Sequence, residues 1–121
     1  MHYSNRYLLF IEYFNTGKFM SAQATLDEIW VKDETENKDF FGGLIQCAVS
    51  LYHLTNDNPN GAKKIYERAR LMIDPYGENK DGINLAKLKQ DMDKLYASLD
   101  EEFTDLDYMQ RVPQLEFNEN S

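Results

Sequence analysis

The stretch from Phe40 to Leu54 is apolar on almost every side when it is drawn as a helix. Its apolar residues are Phe40, Phe41, Leu44, Ile45, Ala48, Val49, Leu51, Tyr52 and Leu54. A helix of this kind is stable in water only when other elements cover it on all sides. The sequence therefore predicts a bundle with this helix at its centre, beginning near Asp39 as a candidate N-cap.

Four further segments carry apolar residues at spacings of three and four, which is typical of helices with one buried face. They run from about residue 3 to 14, 19 to 32, 59 to 74 and 85 to 99. Gly17 can end the first, Asn58 and Asn84 are candidate N-caps of the last two, and a loop with Gly77 and Gly82 lies between those two. We expect one shared core, which includes Phe14, Leu26, Trp30, Leu44, Ala48, Ile65 and Ala69.

The fold class that these patterns predict is all-α. We expect a compact bundle of about five helices, made of two packed helical hairpins and a C-terminal helix, over residues 1–99. Residues 100–121 are predicted to form an irregular acidic tail, partly extended or disordered, in which 112–117 could lie against the bundle. The glycine pair Gly42-Gly43 costs helix stability, which indicates that another helix approaches closely there.

Charge and cysteine content restrict the partners and the compartment. The chain of 121 residues carries a formal net charge of −8, with much of the acidity beyond Leu99. Such a surface repels phosphates, so we expect no nucleic-acid partner. The single cysteine, Cys47, excludes an internal disulfide framework. Because we find neither a secretory signal nor an apolar run of about 20 residues, we expect a cytoplasmic location and no membrane partner.

Four short motifs occur together between Phe14 and Ala62. They are F-N-x-G-x-F from Phe14, L-x-E-x-W from Leu26, G-L-I-Q-x-A-x-x-L-Y-H from Gly43 and N-P-x-G-A from Asn58. With them the chain resembles the domain of unknown function 309 family, whose members are small all-helical proteins of bacteria and archaea. The resemblance extends over about residues 7–99 and implies a bundle of about five helices. It implies no activity, because the family is functionally undefined.

The second helix departs from that family at the two positions best suited to chemistry. The family pattern is A-H-E-x-L-E-E-x-W, whereas residues 22–30 here are A-Q-A-T-L-D-E-I-W. Gln23 replaces a histidine and Ala24 replaces a glutamate. A neutral amide neither transfers protons nor binds metals well. We therefore expect a degenerate site with no catalytic residue, no metal and no cofactor.

The polar residues that remain around this position are the candidate ligand-binding group. They are Gln23, Asp27, Glu28, Trp30, Gln46 and His53. Gln23 falls on the apolar stripe between Phe19 and Leu26, and Gln46 and His53 are seven residues apart on the third helix. Two interpretations remain open. The group either lines a ligand pocket between helices two and three, or forms a buried hydrogen-bond network that fixes helix register.

The functional prediction is a non-catalytic cytoplasmic module that binds a protein partner or a small ligand, with a homodimer left open. The alternative is an enzyme that uses the same polar pocket, and the His-Glu pair of the family pattern would suit a hydrolytic, metal-assisted reaction in relatives. Lys63, Lys64, Arg68 and Arg70 form a basic strip on the fourth helix. That strip is either a solvated face or a docking site for the acidic tail or a charged partner.

Overall fold

A computed structural model of the chain describes residues 3–99 and 112–119. Its helices are α1 (Asn5–Asn15), α2 (Phe19–Lys32), α3 (Lys38–Thr55), α4 (Pro59–Ile73) and α5 (Leu85–Ala97). A 3₁₀ turn (Asp74–Tyr76) and a hairpin of two short strands, β1 (Asn79–Lys80) and β2 (Ile83–Asn84), connect α4 to α5. The predicted all-α bundle of five helices is confirmed, and the part of the predicted tail from 100 to 111 lies outside the described residues.

The helix ends follow local capping chemistry. The side chain of Asn58 accepts a hydrogen bond from the Gly61 N–H at 3.2 Å, and that of Asn84 accepts one from the Lys87 N–H at 3.0 Å. Both predicted N-caps are thereby confirmed. The prediction for Asp39 was wrong, because α3 begins at Lys38 with Asn37 at its N-cap position. The Lys38 ammonium group donates a hydrogen bond to the Trp30 carbonyl oxygen at 3.0 Å.

α3 lies at the centre of the bundle, between α2 and α4, as its all-round apolar sequence predicted. Phe40, Leu44, Ala48 and Leu51 have no exposed surface. Of the seven residues expected in the core, Trp30 and Ile65 are only half-buried. Trp30 lies in the last turn of α2, where the Lys38 ammonium is 4.7 Å from its ring centroid and covers one face of the ring.

The α3–α4 interface depends on the absence of side chains at two positions. A Cβ atom on Gly42 would stand 2.5 Å from Met72 Cε, and one on Gly43 would stand 3.3 Å from the Ala69 carbonyl oxygen and closer still to Ile73 Cγ2. At Gly42 the flexible end of Met72 would have to move to admit a methyl group, whereas at Gly43 the backbone of Ala69 is also close, so a methyl group there would push the two helices apart. The close approach expected from the glycine pair is confirmed.

Residues 112–119, which we call the docked segment, return to the bundle and pair with the β1–β2 hairpin at a single residue. Phe117 pairs with Ile83 of β2 in an antiparallel bridge. The Asn84 N–H donates to the Glu116 carbonyl at 3.0 Å, and the Asn118 N–H donates to the Gly82 carbonyl at 2.8 Å. In the described parts of the chain, no helix has the length and apolarity that crossing a bilayer requires.

Candidate binding site

Five of the six predicted ligand-binding residues lie on half-buried faces of two adjacent helices. Gln23, Asp27 and Trp30 follow one another at spacings of four and three, which places them on one face of α2. Gln46 and His53 are two turns apart on one face of α3 and are also half-buried. The indole nitrogen of Trp30 lies 3.0 Å from the position of a Cβ on Gly42, one turn before Gln46. Each of these five side chains keeps part of its surface exposed to water.

Glu28 does not join that group. Its side chain is 54% exposed and forms an ion pair with Arg6 of α1. Within residues 3–99 and 112–119, no hydrogen bond connects any two of the six predicted side chains. The buried hydrogen-bond network, one of the two interpretations of this group, is therefore not formed among the described residues. The physical reason is that each of these polar groups reaches water and needs no partner inside the bundle.

The described residues offer little reactive chemistry. None of their His, Cys, Asp and Glu side chains comes together in a group of three or more that could hold a metal ion. Cys47 is completely buried in α3, and this burial raises the pKa of its thiol to about 12. Because the thiolate is the reactive form, this thiol does not act as a nucleophile at neutral pH.

A polar cluster that the sequence did not indicate joins α3, α4 and α5. The Tyr66 hydroxyl donates to Asp93 Oδ1 at 2.6 Å, and Arg70 Nη1 donates to both Asp93 carboxylate oxygens at 2.7 Å. On the inner side of the cluster, the Ser50 hydroxyl donates to the Ala62 carbonyl at 2.6 Å and shares a hydrogen bond with the Tyr96 hydroxyl. Together these bonds connect the fifth helix to the hairpin of α3 and α4.

Burial sets the protonation of the two tyrosines in this cluster. It raises the pKa of Tyr66, with a further increase from the hydrogen bond to Asp93. It also raises the pKa of Tyr96, against the smaller lowering effect of the Ser50 hydroxyl. Both hydroxyl groups therefore keep their protons at neutral pH and act as hydrogen-bond donors. The cluster stabilises the packing of α5 rather than supplying a nucleophile.

A second site that the sequence did not indicate lies at the end of α1, where Asn15 holds the docked segment. Asn15 Nδ2 donates to the Leu115 carbonyl at 3.0 Å, and the Leu115 N–H donates to Asn15 Oδ1 at 2.6 Å. Gln114 Nε2 adds a hydrogen bond to the Asn15 carbonyl at 3.1 Å. One amide side chain thus satisfies both backbone groups of Leu115, as a neighbouring strand would.

The β1–β2 hairpin holds the other end of the docked segment. Its turn residues Asp81 and Gly82 have φ angles of +46° and +82°, and an Asp-Gly pair is favoured in such two-residue turns. A Cβ on Gly82 would also stand 2.8 Å from the Asn118 carbonyl oxygen, so the segment itself requires glycine here. The Asp-Gly pair is the sequence signal for this hairpin, and the prediction of a plain loop between α4 and α5 was wrong in this respect.

The side chains of the docked segment alternate between buried and exposed. Pro113 and Leu115 are buried, Phe117 is half-buried, and Gln114 and Glu116 are exposed. Alternation of this kind is typical of a strand that lies on an apolar surface. A cleft of about 420 Å³ borders the segment at residues 112–114, between the α1–α2 turn and Thr55 at the end of α3.

Phe117 enters an aromatic group at the start of α1. Its ring centroid lies 5.3 Å from that of Tyr3 and 6.2 Å from that of Tyr7, and both pairs meet edge to face. The Tyr7 hydroxyl donates to the Asp81 carbonyl at 2.8 Å and so connects α1 to the hairpin. We call the surface formed by Tyr3, Tyr7, Asn15 and the hairpin residues 81–84 the docking groove.

Comparison with known proteins identifies the family of the first helices of the bundle. The model of the family described as "Domain of unknown function (DUF309)" matches residues 7–65. Residues 7–65 belong to the DUF309 family. This DUF309 segment contains most of α1, all of α2 and α3 and the first half of α4, so it includes Asn15. The family match is shorter than the motif resemblance, which extended to about residue 99. The hairpin, α5 and the docked segment lie outside the family match.

Beyond the DUF309 match, the chain is 30% identical over 86 residues to an uncharacterized protein of Aquifex aeolicus (strain VF5). The similarity covers 69% of this chain and 26% of that relative. The chain thus spans about a quarter of the length of the curated relative that it matches. No solved structure matches the chain.

Proposed function

We propose that this chain is a non-catalytic helical module that binds an extended polypeptide segment of a protein partner. The observation that supports the proposal is the docked segment itself, which the docking groove holds by backbone hydrogen bonds at Asn15 and at the hairpin. In β-strand addition, one of the recurring modes of peptide recognition, backbone hydrogen bonds supply affinity and alternate side chains supply specificity. The contacts of the docked segment have this form.

The groove atoms that contact the docked segment do not depend on its covalent attachment. The Asn15 amide and the backbone groups of Gly82 and Asn84 bind peptide N–H and C=O groups, which every polypeptide carries. A strand from another protein presents the same groups at the same repeat. The similarity to a stretch of a longer relative also fits a module that works beside other parts of a protein.

The enzyme alternative has less support from the geometry. Glu28, the acid retained from the family pattern, is exposed and paired with Arg6. Burial keeps the Cys47 thiol and the Tyr66 and Tyr96 hydroxyl groups protonated at neutral pH. The ligand-binding role of Gln23, Asp27, Trp30, Gln46 and His53 stays a prediction.

A peptide with the sequence of residues 112–119, VPQLEFNE, tests the proposal. We expect a fluorescein-labelled peptide to bind the full chain carrying Leu115→Asp with a saturable rise in anisotropy, because a carboxylate at this buried position releases the chain's own segment. The natural chain should bind at least about tenfold more weakly, since its own segment is present at high local concentration.

The matched control is Glu116→Gln, a change at an exposed position that leaves the segment docked and should behave like the natural chain. Circular dichroism checks that each variant retains its helices. Phe117→Asp provides a second releasing variant should Leu115→Asp not fold. A folded releasing variant that shows no saturable binding at millimolar peptide would contradict the proposed function.

A further inference from the structure

We infer that the docking groove selects partner segments with apolar residues at every second position, in the order proline, aliphatic residue, aromatic residue. The docked segment is the internal competitor that such a partner displaces. The pattern is that of Pro113, Leu115 and Phe117. This inference rests on the proposed function and names the chemical class of the partner. Each of the three positions is selected by a different contact.

The central position requires an aliphatic residue in a fixed register. Leu115 is 3% exposed, and both of its backbone groups are bonded to the Asn15 side chain. A shift of the strand by one residue would bring Gln114 or Glu116 to this buried place, because successive side chains point to opposite sides. The Asn15 amide therefore fixes which residue of a bound strand faces the bundle.

The third position selects an aromatic ring. Phe117 contacts Tyr3 and Tyr7 edge to face, with interplanar angles of 69° and 73°, a favoured geometry for aromatic pairs. Gly82 provides the space, since a Cβ at that residue would lie 2.9 Å from Phe117 Cε2. An aliphatic side chain at this position would lose the edge-to-face contacts with both tyrosines.

The first position suits proline for a backbone reason. Pro113 is buried beside the α1–α2 turn. Proline has no N–H group, so no buried donor is left unsatisfied there, and its ring favours the extended conformation that precedes Leu115. Any other residue at this position would bring an N–H that needs a partner.

The alternate positions place few demands on a partner. Gln114 and Glu116 are exposed. Gln114 adds one hydrogen bond at the surface, to the Asn15 carbonyl at 3.1 Å, and the side-chain contact of Glu116 is a long one, 3.4 Å from Asn84 Nδ2. A partner can therefore vary these residues, including their charge. Because the docked segment occupies the groove from within the same chain, a partner that carries the pattern binds only when it displaces that segment.

Competition among peptides on the full-length Leu115→Asp variant tests the selectivity. Against the labelled parent peptide, a Leu→Asp peptide should bind at least about thirtyfold more weakly, because it buries a charge. Phe→Ala and methylation of the leucine amide nitrogen should each cost about five- to tenfold, one removing the ring contacts and the other the hydrogen bond to Asn15. Replacing the exposed glutamate of the peptide by alanine should change binding less than about threefold, because its contact with Asn84 is long.

A coupling experiment isolates the role of Asn15. In the double variant Leu115→Asp/Asn15→Ala, the parent peptide should lose affinity, and methylation of its leucine nitrogen should have no further effect. Additive losses would show that the amide does not recognise the backbone of this residue.

The outcomes separate the two proposals. If the parent peptide binds no folded releasing variant, the proposed function fails and the inference fails with it. If the parent binds but the Leu→Asp and Phe→Ala peptides bind equally well, the selectivity is wrong while the proposed function stands. If the natural chain binds the parent as tightly as the releasing variant does, the docked segment is not a competitor.

Discussion

The α3–α4 interface and the docking groove bury apolar residues by opposite means. Between α3 and α4, two glycines bring helix backbones so close that an added methyl group would collide with Met72 or Ile73. In the groove, an amide side chain and a strand edge bond to the backbone of the docked segment, and only alternate side chains are buried. The first interface is matched to its own side chains, whereas much of the second is matched to a backbone that any polypeptide has.

This difference predicts how each interface responds to opening. Separating α3 from α4 would expose residues of the central helix such as Leu44 and Leu51, which have no exposed surface. Releasing the docked segment would leave in place the side-chain N-caps of α1, α4 and α5. We therefore expect the first interface to open only with the fold, and the second to open while the bundle persists. The predictions that follow examine this contrast, beginning with the largest effect.

Gly43→Val tests the closeness of the α3–α4 interface. We expect the free energy of unfolding to fall by about 3 kcal/mol, because the added side chain must push apart two packed helices. Urea denaturation followed by circular dichroism measures the change. Ala24→Val, at an exposed position of α2, is the matched control and should lower stability by less than about 1 kcal/mol, the helix-propensity cost of valine. Equal effects of the two variants would show that α3 and α4 tolerate separation.

Asn15→Ala tests whether the groove is a separable interface. Loss of two hydrogen bonds to Leu115 should lower the free energy of unfolding by about 1–2 kcal/mol. Hydrogen exchange should accelerate at the Leu115 amide while exchange within α3 keeps its protection. Asn60→Ala, an exposed asparagine of α4, should leave both quantities unchanged. If protection in α3 falls by the same factor as that of Leu115, the groove and the core open together.

Alkaline pH should weaken both regions through their tyrosines. Burial raises the pKa of Tyr7 in the groove and of Tyr66 and Tyr96 at α5. Below pH 10 each hydroxyl is protonated in both states, so its contribution to stability is complete. Above pH 10 the unfolded chain releases protons that the folded chain keeps, so the free energy of unfolding falls with rising pH.

The expected slope above pH 10 is up to about 1.4 kcal/mol per pH unit for each tyrosine. Chemical denaturation at several pH values measures it. Tyr66→Phe and Tyr7→Phe should each reduce the slope by the contribution of one tyrosine. A slope that is the same in both variants as in the natural chain would indicate that these hydroxyl groups titrate alike in both states.

Gln23→Leu should have the smallest effect. Its side chain is half-buried and has no hydrogen-bond partner in the described parts of the chain, so we expect a change below about 0.5 kcal/mol. The natural chain should show no stoichiometric zinc site by calorimetry. A loss above about 1 kcal/mol, or a zinc site removed by His53→Ala, would restore the polar pocket as a working site.

The helices could be predicted because their signals are local. The apolar periodicities and the capping residues Asn58 and Asn84 all lie within a few positions of the structure that they determine. Spacing gives the face of a helix but not the extent to which neighbours cover it, so Trp30 and Ile65 were expected deeper than they lie. Glu28 was grouped with Gln23 by motif, yet five residues along a helix turn the side chain by about 140°.

The docking groove could not be predicted for a different reason. Asn15 and Leu115 are 100 residues apart in sequence. The residues next to Asn15 do not indicate whether its side chain binds a distant backbone segment or only ends a helix. The sequence predicts that residues 112–117 could lie against the bundle, but the pattern does not identify the residues that they contact. The Asp81-Gly82 turn was visible in the sequence, and its role as a strand edge for Phe117 depends on the assembled bundle.

The burial of Cys47 makes it a built-in probe of the bundle's rare openings. A thiol enclosed within α3, with its pKa raised to about 12, has neither the access nor the charge that an alkylating reagent needs. Alkylation of the thiol then requires a transient opening of the helices, so the alkylation rate measures how often the bundle opens. The same enclosure should keep purified protein free of thiol-linked dimers during storage, without any reductant.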